Sequence, residues 1–86
     1  IDEVGYEVAD EEMQTEEIPT EVLYHFIREL PEGYRTVFNL YVVEGKSHKE
    51  IAALLNVKEN TSATQFRKAK MMLAQKIKQY RNDNSI

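Results

Sequence analysis

Between Ser47 and Lys70 the chain gathers side chains suited to holding a polyanion and reading its edges. Asn60, Thr61 and Thr64 carry short amide and hydroxyl groups, with the cations Lys58, Arg67 and Lys68 close by in sequence. Allowing about 100° of turn per residue, the α-helical period, Asn60, Thr64, Arg67, Lys68 and Met71 share one side, flanked by Thr61 and Ala63. Short polar groups there suit base edges, the Ala63 methyl suits apolar contact such as a thymine methyl, and the cations suit phosphates. Ser62, Phe66, Ala69, Leu73, Ile77 and Tyr80 fall on the opposite third of the circumference, which is expected to face a core.

Such a face is useful only if a preceding element holds it at a fixed angle. Ser47-His48-Lys49-Glu50 has the form of a capping box, with a hydroxyl at the cap and a Glu three residues on. It predicts a helix starting at Ser47, with Ile51, Ala52, Leu54 and Leu55 as its buried face and small Ala52 where two helices touch. Asn56 then accepts positive φ second only to glycine, and Val57 is expected to plug the gap between this helix and the next. The next and longest helix is expected over residues 59–80. A short helix, a sharp turn and a second helix are the parts of a helix-turn-helix.

Two helices are expected upstream. In residues 19–30, Pro19 or Thr20 opens the helix and Val22, Leu23, Phe26, Ile27 and Leu30 form one apolar stripe. Pro31 disfavours helix at Leu30 and can start the next, over residues 31–44. There Tyr34, Val37, Phe38, Tyr41 and Val42 repeat at threes and fours, and Gly45 suits a left-handed C-terminal cap. Tyr24, Tyr34 and Tyr41 are the aromatic candidates for half-exposed protein contact.

Charge divides the chain. Residues 1–33 hold eleven acidic side chains against Arg28 alone, whereas residues 34–86 hold four acids (Glu44, Glu50, Glu59, Asp83) against ten bases. The halves therefore carry −10 and +6, within a formal net charge of −4. Such asymmetry points to nucleic-acid contact by the basic half and an acidic tail in the other. Val4, Tyr6, Val8 and Met13 are scattered among the acids of residues 1–17, which read as a solvated linker.

Other chemistries are poorly supplied. His25 and His48 are the only histidines and there is no cysteine, so the ligand pattern of a zinc site is absent. The carboxylates have no nucleophilic or basic counterpart, and Gly5, Gly33 and Gly45 make no phosphate loop. Neither catalysis, a metal nor a cofactor is expected. No apolar run approaches the roughly 18 residues of a membrane span, and no basic-then-apolar signal opens the chain. A cytoplasmic, nucleoid-associated location is expected. Its 86 residues, 42% hydrophobic and 30% charged, suit one small domain with a thin core. The first residue is Ile, so a longer parent protein is expected.

One family combines these features. Leu30-Pro31-Glu32-Gly33-Tyr34-Arg35-Thr36-Val37-Phe38, Gly45-Lys46-Ser47-His48-Lys49-Glu50-Ile51-Ala52, Asn60-Thr61-Ser62 and Arg67-Lys68-Ala69-Lys70 together resemble region four of extracytoplasmic-function sigma factors. The resemblance covers about residues 20–80, and the acidic stretch before it is similar to the linker joining regions two and four. It implies binding to the promoter element centred near minus thirty-five and a grip on the β flap of RNA polymerase, with an anti-sigma factor as a further partner. Carried across by position, Ala63, Thr64, Arg67 and Lys68 form the base-reading face, with Asn60 and Thr61 at the helix start; Lys58 is also expected to meet DNA, with Lys46, Ser47 and His48 expected at phosphates. The chain departs from the pattern at Asn56, where many relatives have glycine, at Lys58, where they have a capping side chain, and at Ala63, which is often basic.

The expected fold is all-α, a four-helix bundle-like domain containing a helix-turn-helix (residues 19–86) preceded by an acidic linker (residues 1–18), acting as a monomer. Two alternatives stay open: the output domain of a response regulator or LuxR-like activator, dimerising through its last helix, and a protein-interaction module that binds an anti-sigma factor. The acidic stretch should repel DNA. Deleting residues 1–17 is expected to tighten duplex binding, most visibly at low salt; an unchanged affinity would make the segment a passive linker.

Overall fold

The structure, a computed structural model, describes residues 18–84. Helix α1 spans Thr20–Arg28, and α2 spans Glu32–Phe38 before running into a π-helical segment at Asn39–Val43. Helix α3 spans His48–Leu55 and α4 spans Glu59–Asn84. All regular structure among the described residues is helical, as the sequence predicts. Of the expected linker at residues 1–18, all but Ile18 lies outside them, and Ile18 is buried.

Two prolines set where the first helices begin. Pro19 and Pro31 occupy the N-cap positions, with φ of −57° and −53° and no side-chain cap. The Pro19 carbonyl accepts from Val22 and Leu23 at 3.0 and 3.1 Å, and that of Pro31 accepts from Arg35 at 2.9 Å. Thr20 is thus the first helical residue and not a cap. At the other end, α1 stops at Arg28, short of the expected Leu30, because proline disfavours helix in the residue before it. Leu30 is nevertheless buried.

The chain forms two compact units, described separately: residues 18–30 with 70–84, and Pro31–Ala69. In the first, Leu73, Ala74 and Ile77 are buried along α4, together with Ile18 and Leu30. Phe26 meets Tyr80 edge-on at 6.1 Å, and the Lys76 ammonium donates to Glu29 Oε1 at 2.9 Å. His25 Nε2 lies 3.0 Å from the other Glu29 oxygen.

In the second unit Val37, Phe38, Ile51, Ala52, Ser62, Phe66 and Ala69 are buried. The expected stripe of α2 fails beyond Phe38. The backbone there shifts to the wider π repeat, with Glu44 N–H donating to the Asn39 carbonyl at 3.1 Å. The angular phase set by Tyr34, Val37 and Phe38 is then lost, and Val42 is 53% exposed. Gly45 closes the segment at φ +71°, the left-handed cap expected of it.

Leu54 is 59% exposed, against expectation. Ile51, Ala52 and Leu55 define the inner face of α3, and at about 100° per residue Leu54 falls roughly 100° away from its centre. Five of the six expected core positions on α4 are buried, while Tyr80 is half-buried. Leu73 and Ile77 are fully enclosed. Leu73→Ala should destabilise the fold by about 2–5 kcal/mol in urea unfolding, whereas Tyr24→Ala, at a 55% exposed side chain, should cost less than about 0.5 kcal/mol.

Candidate nucleic-acid interface

The interface is assembled from local rules at three points. Ser47 at the start of α3 has extended backbone; its Oγ accepts from Glu50 N–H at 3.1 Å, and its own N–H donates to Glu50 Oε1 at 2.8 Å. The capping box expected from the sequence is therefore complete. At the far end Asn56 is left-handed, at φ 58° and ψ 48°. Its N–H and that of Val57 both donate to the Ala52 carbonyl, the latter at 3.0 Å, which satisfies the orphaned end of the helix. Helix α4 then starts at Glu59, with the Lys58 carbonyl accepting from Ser62 N–H at 3.1 Å.

Val57 does not plug the gap between α3 and α4; its side chain is 39% exposed. The residue acts through its backbone N–H, and rings fill the interior. Phe66 packs 5.9 Å from Phe38 and 4.4 Å from Tyr41 between centroids, and 5.7 Å from His48. Tyr41 and His48 stack at 4.5 Å with planes 15° apart. His48 Nδ1 is 2.9 Å from the Oγ of buried Ser62.

With Phe66 and Ser62 turned inward, the α-helical period fixes the outward face. Asn60 and Lys68 are exposed, while Thr61, Ala63, Thr64 and Arg67 are half-buried. A hollow of about 300 Å³ is lined by Asn60, Thr61, Thr64 and Lys68, together with Tyr34 and Gln65. Lys58 is exposed just before α4, and at the start of α3 Ser47 is exposed whereas Lys46 and His48 are half-buried. The sequence placed Tyr34 on an apolar stripe and among the half-exposed candidates for protein contact, and half-buried it is, but it did not point to Gln65. The available signal was Gln65 lying one residue from Thr64 and three from Lys68, on the edge of the same arc. At Gly33 an added Cβ would lie 3.5 Å from Gln65 Oε1, so the first turn of α2 borders this edge.

The electrostatics follow from the caps and from burial. The Ser47 backbone hydrogen bond holds the Glu50 carboxyl below its ordinary 4.5, against desolvation, with the Ser47 hydroxyl and Lys46 helping. Desolvation holds the His48 imidazole below its ordinary 6.5, with the nearby Glu59 charge opposing it. Among the described residues no three His, Cys, Asp or Glu side chains cluster to hold a metal, and no helix is long and apolar enough to cross a membrane.

Residues 20–73 match the family model described as sigma-70, region 4. The chain belongs to the sigma-70 region 4 family. Region 4 is the promoter-recognition, DNA-binding part of a sigma factor and works with RNA polymerase in transcription initiation. The match covers all of α3 and α4 as far as Leu73. No match was found among curated proteins or solved structures.

Acid should lower the stability of this region 4 domain over two pH ranges. A depressed histidine pKa means the unfolded chain takes up the proton first, so stability is full above about 6.5 and falls as pH drops below it. Glu50, and Glu29 beside Lys76, have lowered values, so their contribution is present above 4.5 and is lost as pH falls through the folded values. Thermal melts across this range should lose the upper stage, and only that stage, in His48→Gln. An unchanged upper stage would show that burial of His48 has no bearing on stability.

Proposed function

We propose that the chain is the minus-thirty-five recognition domain of an extracytoplasmic-function-type sigma factor, formed by residues 19–86 behind an acidic linker at residues 1–18. The observation that carries this reading is the polar and basic face of α4 opposite Ser62 and Phe66, delivered by a capped α3 and the left-handed Asn56 turn. Ala63, Thr64, Arg67 and Lys68 read base edges in the major groove, with Asn60 and Thr61 at the helix start and Lys58 just before it. Lys46, Ser47 and His48, at the start of α3, approach the phosphate backbone.

The acting form is a monomer on double-stranded promoter DNA, in the cytoplasm at the nucleoid. RNA polymerase core supplies the second partner through its β flap, and an anti-sigma factor is a third of the same protein-binding kind. Tyr41, Val42 and Val43 on the π segment, with Leu54 and Val57 after it, expose apolar side chains suited to such protein contact. No catalytic role is assigned to any residue.

The +6 charge of residues 34–86 makes binding steeply salt-dependent through counterion release. Arg67→Ala should weaken binding by about 1–3 kcal/mol and relax preference at one base position, read by titrating a panel of single-base duplex variants. Equal loss on every sequence would make Arg67 a phosphate contact and remove it from the reading face.

A further inference from the structure

We propose that the hydrogen bond between His48 and Ser62 sets the rotation of α4 about its own axis, which makes both of them specificity-determining positioning residues. The inference rests on α4 being the DNA-reading helix. His48 is the first residue of α3 and Ser62 the fourth of α4, so the bond joins the opening turns of the two helices of the motif. The oxygen involved belongs to a fully buried side chain, where a hydroxyl deprived of its partner has no water to replace it.

Direction is the reason this contact matters. Apolar packing of Phe66 on Phe38 and Tyr41 is largely non-directional and tolerates a modest turn of α4 about its axis. A hydrogen bond at 2.9 Å weakens steeply with misalignment. A side-chain atom roughly 6 Å from a helix axis moves about 2 Å when the helix turns by about 20°, enough to break a base-edge hydrogen bond. Ser62 and the reading residues share the first turns of one helix, so holding Ser62 aims Thr61, Thr64 and Arg67.

The imidazole is itself fixed before it reaches Ser62. Tyr41 lies flat against it at 4.5 Å, and the Ser47–Glu50 capping box fixes the backbone turn that carries it. Position therefore passes from the cap of α3 through His48 to Ser62 and on to the opposite face of α4. A phosphate contact by His48 would act differently, adding affinity on every sequence without choosing among them.

The two roles separate in one experiment on the full 86-residue chain. The duplex that wild type enriches from a random-sequence pool and a scrambled duplex are titrated at several salt concentrations. Ser62→Ala and His48→Phe, which keeps a stacking ring, should each lower the preference for the enriched duplex about tenfold, the scale of one lost base contact. In Ser62→Ala, whose side chain is buried away from DNA, affinity for the scrambled duplex and the salt slope should not change. The double variant should lose no more than either single variant, and His48→Asn, which can still reach Ser62, should retain most of the preference. In long-range nitrogen–proton spectra the His48 ring nitrogens should shift in Ser62→Ala. Unchanged preference in Ser62→Ala or in His48→Phe, or equal weakening on both duplexes in Ser62→Ala, would overturn the inference. A wild-type chain that binds no duplex in a salt-dependent way would instead sink the DNA-reading assignment itself.

Discussion

Burial of Phe66 is the constraint from which the rest of the second unit follows. One aromatic ring on the inward side of α4 meets Phe38, Tyr41 and His48, which come from α2, the π segment and α3. With about 3.6 residues per turn, fixing Phe66 inward obliges Ser62 and Ala69 to follow it. It equally obliges Asn60, Thr64 and Lys68 to face away. The surface used for recognition is in this sense the complement of a hydrophobic contact. A small domain has few such contacts, and each one therefore orients much of the chain.

Polar groups add what apolar packing cannot supply. The capping box ends the solvent competition for the first N–H groups of α3 and fixes where that helix starts. Asn56, by accepting the left-handed region, ends α3 three residues before α4 begins while two N–H groups still donate to the Ala52 carbonyl. The His48–Ser62 bond then gives direction to a contact that the rings alone leave loosely defined. These interactions are individually modest, but each is directional, and a recognition helix depends on direction more than on total stability.

Electrostatics allocates roles between the two halves of the sequence. A net charge of −4 would disfavour an approach to DNA if it were spread evenly. The bases instead concentrate from Arg35 onward, where the capped helices carry them, while most acids precede Arg35. The sigma-70 region 4 match begins at residue 20 and takes in most of the basic stretch, as suits a domain that meets promoter DNA.

Features that depend on a few neighbouring residues were legible in the sequence. The Ser47–Glu50 box, the left-handed Asn56 and Gly45, and the buried run Ser62, Phe66, Ala69, Leu73 and Ile77 all follow from local backbone chemistry and helical period. Features that depend on what lies across the fold were not. The π segment broke the period that had placed Val42 inside, Leu54 turned outward once Ile51, Ala52 and Leu55 defined the inner face of α3, and Val57 contributed an N–H where a side-chain plug was expected. The Tyr34–Gln65 border of the hollow and the pairing of His48 with Ser62 join residues separated by 31 and 14 positions, respectively. The sequence by itself determined which residues face outward on α4, because periodicity is a property of one helix. Only the tertiary structure decided how that face is aimed, because the angle between two helices is set by contacts that neither helix encodes alone.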